Sequence, residues 1–266
     1  MKKTLLITGS TDGIGKLAAL QLAQAGHTIL LHGRNAQKLE ATVNEISAAA
    51  KGATIKGFVA DFSNLQEVER MAEEVKNTVP RLDVLINNAG VYQSPQRTDA
   101  QGRDLRFTVN YLAPYVLTAA LRPALASSAA PRVLNLSSAA QAPVSLDALA
   151  GKEALDASNA YAQSKLALTM WSFDLARQWD FDTVIAVNPG SLLNTRMVKE
   201  AFGRHWAEAD KGANILFDLA TNATYLQSSG QYFDNDQGAF GPAHGEAYDL
   251  DKIQALMQHT QTLLAT

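Results

Sequence analysis

The stretch Leu5-Leu6-Ile7-Thr8-Gly9-Ser10-Thr11-Asp12-Gly13-Ile14-Gly15 passes from a short apolar run into a glycine-rich turn. After it, apolar residues recur at the spacing of one helix face, at Ile14, Leu17, Ala18, Leu22 and Ala25. Glycines between a strand and a helix let backbone amides and the helix N-terminus approach an anionic pyrophosphate. The spacing G-x-x-x-G-x-G differs from the G-x-G-x-x-G of the dinucleotide fingerprint, so the loop alone fits a cofactor site and an ordinary tight turn equally well.

Strands and helices are predicted to alternate along the rest of the chain. Further buried strands are expected at 28–32, 55–60, 82–86, 132–136, 183–187 and 231–233. Helices are expected after Asn35, after a capping-box signature at Ser63-Asn64-Leu65-Gln66, and over 105–126, 161–179, 214–226 and 252–264. This alternation implies a parallel sheet covered on both faces, in one doubly wound α/β domain of Rossmann type over residues 1–266.

Composition narrows the class of function. Charged residues make up 18% of the chain and the formal net charge is −3, which argues against binding to nucleic acid or to an anionic membrane. The chain has no cysteine, which excludes a disulfide framework and a thiolate metal site and allows a reducing compartment. We therefore take the cytoplasm as the default location, and we expect no metal ligands. Its apolar runs fall short of the ~18 residues that a membrane-spanning helix needs.

A second stretch, Ala160-Tyr161-Ala162-Gln163-Ser164-Lys165, places a tyrosine and a lysine four residues apart. On a helix the two side chains leave from one face, so the phenol and the ammonium would be neighbours. A free tyrosine titrates at about pH 10, and proton transfer near neutrality needs a fall of roughly 3 units, about 4 kcal/mol in favour of the phenolate. A lysine cation acts in that direction, although such a pair also occurs by chance on many solvated helices.

Further short motifs accompany the glycine loop and this pair. They follow one another at spacings that suit a parallel sheet: Asp61, Asn87-Asn88-Ala89-Gly90, Asn110, Leu136-Ser137-Ser138 and Asn188-Pro189-Gly190. With these motifs the chain resembles a short-chain dehydrogenase/reductase over almost its full length. The long interval between Ser138 and Tyr161 is similar to the branch that contains retinol dehydrogenases and light-dependent protochlorophyllide reductase.

The resemblance implies a reaction and a role for each of four residues. Hydride passes between a nicotinamide cofactor and a carbonyl or alcohol substrate, while Tyr161 gives a proton to the reacting oxygen or takes one from it. Lys165 is expected to lower the tyrosine pKa and to hold the nicotinamide ribose. Ser138 is expected to hydrogen-bond the reacting oxygen, and Asn110 to hold an ordered water on a proton path. The adjacent Ser137 is expected to be structural.

The resemblance also implies a set of cofactor-binding residues. They are Gly9, Ser10, Thr11, Gly13, Ile14, Gly15, Arg34, Asn35, Asp61, Phe62, Asn88, Ala89, Gly90, Tyr161, Lys165, Pro189, Gly190 and Thr195. Where an NAD-selective site usually has an acidic residue, this chain has His32-Gly33-Arg34-Asn35, and Arg34 suits a 2′-phosphate. NADP(H) is therefore the expected cofactor, with NAD(H) as the alternative if Arg34 is an ordinary surface arginine. Asp61 is placed to contact the adenine edge, and Thr195 stands one position later than the usual family spacing.

The substrate is expected to be a small carbonyl or alcohol compound. The expected pocket walls, 139–159 and 192–214, include Phe202 and Trp206 and permit an apolar substrate, and 191–214 is interpreted as a mobile flap. The family resemblance implies a homodimer or a homotetramer. Two other functions stay open: a catalytically silent NADP(H)-binding sensor or scaffold, and an epimerase or dehydratase on the same fold.

Overall fold

The computed structural model describes residues 2–179, 183–195, 197–199, 203, 205 and 207–265. The strands in this part of the chain are β1 Thr4–Ile7, β2 Thr28–Gly33, β3 Ile55–Val59, β4 Val84–Asn87, β5 Arg132–Leu136, β6 Thr183–Asn188, β7 Gln231–Asp234 and β8 Ala239–Gly241. They form one sheet in the order β3-β2-β1-β4-β5-β6-β7-β8. Neighbours from β3 to β7 pair in parallel, whereas β8 runs antiparallel to β7.

The helices lie between and beyond these strands. They are α1 Gly13–Gln24, α2 Ala36–Ala49, α3 Leu65–Thr78, α4 Leu105–Phe107, α5 Ala113–Ala126, α6 Leu146–Leu149, α7 Ala157–Gln178, α8 Asp210–Thr221 and α9 Leu250–Leu264. A π-helical turn, Thr108–Leu112, joins α4 to α5, and 3₁₀ turns lie at Ala223–Gln227 and Gly245–Tyr248. Among the described residues, no helix is both long enough and apolar enough to span a membrane.

Both faces of the sheet are covered by helices, as the sequence predicts. Every residue of β4, β5 and β6 is buried, which is why these strands read as continuous apolar runs rather than as alternating ones. Side chains from α1, α2 and α8 pack on one face, and side chains from α3, α5, α7 and α9 pack on the other. The predicted doubly wound α/β fold is confirmed.

Some predicted elements differ in detail from those observed. The expected helix over 105–126 is interrupted by the π-helical turn, and the one expected at 214–226 begins at Asp210 and ends at Thr221. The cap of α3 is Asn64, which accepts a hydrogen bond from the Gln66 amide, instead of the expected pairing of Ser63 with Gln66. Strand β8 was not predicted, because three residues carry too little pattern without the β7 partner that orders them.

The strand order places a crevice at the carboxyl end of β1. This strand pairs with β2 on one side and with β4 on the other, so the chain connections turn in opposite directions from here. In open α/β sheets such a switch point leaves a crevice outside the carboxyl ends of the strands, where ligands bind. The glycine loop after β1 and the Asn87-Asn88-Ala89-Gly90 segment after β4 both end at this crevice.

Candidate active site

A cleft of about 400 Å³ runs along the carboxyl ends of the strands. Arg34 and Asp61, after β2 and β3, line one end of it, and Tyr161 and Lys165, beside the end of β5, line the other. The glycine loop after β1 lies between them. Of the residues predicted to bind a cofactor, the cleft is lined by Gly9, Thr11, Gly13, Ile14, Gly15, Arg34, Asp61, Phe62, Asn88, Ala89, Gly90, Tyr161, Lys165, Pro189 and Thr195. The sheet thus gathers one surface from residues scattered along the whole chain.

The glycine loop interlocks with the segment after β4. Gly9 has a φ of +62°, and a Cβ added there would lie 2.8 Å from the Ala89 Cα. A Cβ on Gly15 would lie 2.4 Å from the Asn88 Nδ2, which itself donates to the carbonyls of Thr8 and Gly9. The glycines are therefore needed to let two backbone segments meet, and they leave the start of α1 open toward the cleft.

Arg34 stands exposed at the mouth of the cleft, directly after β2. Within the described residues it makes no hydrogen bond and no ion pair. Close packing brings the loop and this strand end together, since a Cβ on Gly33 would lie 2.5 Å from the Thr11 Cγ2. Nearby, the Lys38 Nζ lies 2.7 Å from an Asp12 carboxylate oxygen, so the acidic residue of the loop is paired with a cation.

Three residues predicted to bind the cofactor, Ser10, Asn35 and Gly190, lie outside the cleft lining. Ser10 is fully buried, where its hydroxyl accepts from the His32 amide at 3.0 Å. Asn35 caps α2 by accepting from the Lys38 amide at 2.9 Å. Both side chains form hydrogen bonds to the backbone next to the cleft. A sequence motif does not show whether such a side chain bonds to the backbone or to a ligand.

Tyr161, in the second turn of α7, faces the end of β5. The Ser138 hydroxyl is within hydrogen-bonding reach of the Tyr161 phenol, and the Tyr92 ring packs edge-on at a centroid distance of 5.0 Å. Burial raises the pKa of Tyr161, while the hydrogen bond with Ser138 acts to lower it. The sequence did not single out Tyr92, because an aromatic residue in a polar loop has many ordinary roles.

Lys165 lies one helical turn further along α7 and is only 4% exposed. Its Nζ donates to the Leu136 carbonyl at 2.7 Å and lies 5.5 Å from the centroid of the Tyr161 ring. Burial lowers the pKa of Lys165 to about 8. The predicted lowering of the tyrosine pKa by this lysine is not what the structure gives: the pKa of Tyr161 is raised, because burial penalises the phenolate.

Asn110 lies in the π-helical turn and is 1% exposed. Its Oδ1 accepts from the Val91 amide at 2.7 Å, and its Nδ2 donates to the Val91 carbonyl at 3.1 Å and to the Ser164 hydroxyl at 3.0 Å. A Cβ on Gly90 would lie 3.3 Å from that Oδ1 and 3.5 Å from the Lys165 Nζ. The side chain of Asn110 thus fixes the loop after β4 against α7, next to the lysine.

The two adjacent serines have different surroundings. Ser137 is buried, and its hydroxyl lies 2.6 Å from the Thr169 hydroxyl and donates to the Lys165 carbonyl at 3.2 Å. Ser138 is half-buried beside Tyr161, and its carbonyl accepts from the Tyr232 hydroxyl at 3.0 Å. Ser137 is among the residues that line the cleft and Ser138 is not, whereas Ser138 is the serine within hydrogen-bonding reach of the Tyr161 phenol. The assignment of Ser138 to the reacting oxygen stays a prediction.

The turn after β6 also borders the cleft. Pro189 and Thr195 line it, and Thr195 faces the glycine loop, with its Cγ2 3.5 Å from the position of a Cβ on Gly13. Gly190, also predicted to bind the cofactor, does not line the cleft, but its φ of +121° suits the turn that places Pro189 there. Phe202 and Trp206, predicted pocket-wall residues, lie outside the described residues.

Comparison with known proteins assigns the class of the chain. A model of the short chain dehydrogenase family matches residues 3–206. The chain therefore belongs to the short chain dehydrogenase family, and it is an oxidoreductase that acts on alcohol or carbonyl groups with a nicotinamide cofactor. The predicted membership of this family and of its retinol dehydrogenase-like branch is confirmed.

Individual relatives extend over much of the chain. Human retinol dehydrogenase 13 is 34% identical over 208 residues, which cover 76% of this chain and 61% of that protein. DnrU of Streptomyces sp. (strain C5), provisionally named a daunorubicin C-13 ketoreductase, is 32% identical over 257 residues, covering 93% of this chain and 87% of that protein. A solved structure from Shigella flexneri 2a str. 301, a provisionally assigned short chain dehydrogenase complexed with NADP, matches with a TM-score of 0.71 at 28% identity, covering 88% of this chain and 97% of that chain.

Proposed function

We propose that this chain is an NADP(H)-dependent carbonyl reductase or alcohol dehydrogenase in which Tyr161 is the general acid and base. The observation that carries the proposal is one cleft lined by Tyr161 and Lys165 as well as by the glycine loop and Arg34. Ser138 lies beside it, within hydrogen-bonding reach of the Tyr161 phenol. A proton-transfer group and a dinucleotide-shaped groove in one cleft are the two parts that such a reaction needs.

The residues present fit a nicotinamide dinucleotide. Gly13, Ile14 and Gly15, at the start of α1, line the cleft, where the helix N-terminus would receive a pyrophosphate. Glycine at positions 9 and 15 lets the loop pack closely against the segment after β4. Arg34 would hold the 2′-phosphate, Asp61 the adenine edge, and Lys165 the nicotinamide ribose. Support for NADP(H) comes from the arginine at the end of β2, from the missing carboxylate there, and from a structural relative that is complexed with NADP.

The chemistry divides between the cofactor and the protein. A bound nicotinamide supplies or accepts the hydride. The Tyr161 phenol is protonated near neutrality and would give its proton to a carbonyl oxygen as negative charge develops there. Burial, which raises the pKa of Tyr161, opposes this transfer, so the site must stabilise the phenolate that forms. Ser138 would donate a hydrogen bond to the same oxygen, and the Lys165 cation, held by the Leu136 carbonyl, would stabilise the phenolate that is left.

The choice between NADP(H) and NAD(H) depends on Arg34. We expect Arg34→Ala to raise the Kd for NADPH about 10- to 100-fold, which corresponds to the loss of about 1.4–2.7 kcal/mol from a charge-assisted contact, and to change the Kd for NADH less than about twofold. Titration calorimetry with both cofactors measures this. Arg177→Ala, at an exposed position near the end of α7, is the matched control. Equal losses for the two cofactors would reject a contact between Arg34 and the 2′-phosphate.

Turnover separates the proposed enzyme from the silent binding protein. NADPH oxidation is followed with decanal, acetophenone and menadione as probes of aldehyde, ketone and quinone reduction, and we expect at least one to be reduced. Tight NADPH binding without oxidation would favour the sensor or scaffold, and an isomerised or dehydrated product without net NADPH consumption would favour the epimerase or dehydratase.

The location and the assembly of the chain are two further proposals. We propose that the protein is cytoplasmic, because the chain has no cysteine. We also propose that it forms a homodimer or a homotetramer, as the family resemblance implies. In this chain α7 already packs against α9 and the 3₁₀ turn Gly245–Tyr248, with the Phe173 and Tyr248 rings 5.3 Å apart. A contact between two copies would therefore use surface that these elements leave uncovered.

A further inference from the structure

The His32 side chain joins the ends of three neighbouring strands. Its Nδ1 accepts from the Gly9 amide at 3.0 Å, and its Nε2 lies 3.0 Å from the Ala60 carbonyl. The ring stacks on Phe62 at a centroid distance of 4.1 Å and an interplanar angle of 19°. His32 is only 3% exposed, and it lines the cleft together with Gly9, Ala60 and Phe62. The ring therefore lies directly beneath the surface that would receive a dinucleotide.

The contacts of the ring define its protonation state. The Ala60 carbonyl can only accept, so the Nε2 must carry the proton and donate. The Gly9 amide can only donate, so the Nδ1 must be unprotonated. His32 is thus a neutral imidazole with the proton on Nε2, and burial, which lowers its pKa to about 4, agrees with that state.

The main chain of His32 holds the next residue of the same loop. The Ser10 amide donates to the His32 carbonyl at 3.0 Å, and the His32 amide donates to the Ser10 hydroxyl at 3.0 Å. Together with the ring, one residue of β2 fixes the orientation of two successive loop peptides. This matters because Gly9 has a left-handed φ of +62° and glycine has the greatest backbone freedom, so an unheld loop would have to be ordered when a ligand binds.

We propose that His32 is a positioning residue for cofactor binding, which acts by holding the Gly9 amide through its Nδ1 and so presents the glycine loop already in its binding conformation. The inference rests on the proposed function, because it concerns the cleft to which NADP(H) is assigned. It goes beyond that function by assigning part of the cofactor affinity to the His32 ring, through the Gly9 amide that the ring holds.

Two amide substitutions separate the two ring contacts. The side-chain amide of asparagine branches at Cγ, where it can replace the Nδ1 acceptor, whereas that of glutamine branches at Cδ, where it can replace the Nε2 donor. Both variants lose the ring that stacks on Phe62 and one of the two hydrogen bonds, so they are matched for structural damage.

We expect His32→Gln to raise the Kd for NADPH at least about tenfold and His32→Asn to raise it less than about threefold. For both, kcat at saturating NADPH is expected to stay within about threefold of wild type, since the ring does not touch the reacting end of the cleft.

The outcomes are distinguishable. Kd values that rise equally in the two variants, or that follow only their melting temperatures, would overturn the positioning role. A wild-type chain that binds no NADPH would instead contradict the proposed function. A second measurement needs no variant and keeps the inference testable if His32→Gln does not fold. The nitrogen chemical shifts of the His32 ring are recorded by NMR in the intact chain between about pH 6 and 8, a range around the ordinary pKa of histidine. We expect shifts typical of a neutral ring protonated on Nε2. Shifts typical of a ring protonated on Nδ1 would overturn the positioning role of His32.

Discussion

Lys165 keeps an ammonium group in a buried place beside the candidate catalytic tyrosine. It is 4% exposed and has one hydrogen-bond acceptor, the Leu136 carbonyl, among the described residues. Burial therefore destabilises its charged form and lowers its pKa to about 8. The buried ammonium that would stabilise a tyrosine phenolate lowers the free energy of unfolding. The requirements of the site and of the fold therefore oppose each other at this residue.

The pH dependence of stability tests this conflict. In the unfolded chain Lys165 binds its proton up to its ordinary pKa of 10.5, whereas the folded chain releases it near pH 8. Between these values the unfolded state binds more protons, so the free energy of unfolding rises with pH. We expect wild type to gain about 2–3 kcal/mol over Lys165→Met between pH ~8 and ~10. Urea denaturation at several pH values measures it, with the exposed Lys51→Met as control. Parallel curves for wild type and Lys165→Met would show that the lysine is not destabilised by burial.

The sequence predicted which residues belong to the site, but it did not predict how each of them is surrounded in the folded chain. The order of the motifs predicted that Tyr161, Lys165 and Ser138 belong to one site. The structure places Tyr161 and Lys165 in the lining of the cleft and Ser138 within hydrogen-bonding reach of the Tyr161 phenol. The direction of the tyrosine pKa depends on how deeply a folded chain buries it, which no local spacing encodes. The role of His32 was missed for the same reason: its partners come from β1 and β3, and only the assembled sheet brings them to its ring.

At the scale of elements, the turn between β7 and β8 holds the turn after β6. Asn235 donates to the Pro189 carbonyl at 2.8 Å. The Asp236 carboxylate accepts from the Ser191 amide at 2.8 Å and from the Asn188 Nδ2 at 3.0 Å. Partial burial acts to raise the pKa of Asp236, but these hydrogen bonds outweigh it and hold the pKa below its usual range. The ionised Asp236 carboxylate thus holds the turn after β6, which borders the cleft.

Replacing that carboxylate tests the support. In Asp236→Asn one acceptor oxygen becomes a donor that faces other donors, so the turn around Pro189 should loosen. We expect the Kd for NADPH to rise about three- to tenfold, in line with the loss of a partly exposed hydrogen bond. Glu69→Gln on the exposed side of α3 removes the same charge and should leave the Kd unchanged. An unaltered affinity in Asp236→Asn would show that the turn does not depend on this carboxylate.

Elements were predictable where their pattern is local. Strands β1, β4, β5 and β6 read as uninterrupted apolar runs because helices cover both faces, and they were found at the expected places. The π-helical turn at Thr108–Leu112 was not predicted, since apolar spacing on both sides of it still suits a helix. It places Asn110 where it bonds to Val91 and Ser164, so the irregular turn lies where site residues are held.

At the scale of the whole molecule, the parallel sheet makes one site from distant parts of the chain. Residues that follow β1, β2, β4 and β5 meet Tyr161 and Lys165 of α7 in one cleft because all these strands point the same way. Fold class and cofactor class follow from that arrangement and were predictable from the order of motifs. Substrate identity does not follow, because the segments 139–159 and 192–214 that would enclose a substrate carry little periodic pattern.

The most direct test of the account is the rate of carbonyl reduction by NADPH in wild type and in Tyr161→Phe, measured with the best of the three probe substrates. Phenylalanine keeps the ring and its edge-on contact with Tyr92, and removes only the hydroxyl that faces Ser138. If Tyr161 is the general acid, kcat should fall at least about 100-fold, while the Kd for NADPH should stay within about threefold of wild type. A variant that binds NADPH normally and keeps more than about a tenth of the wild-type kcat would contradict the account.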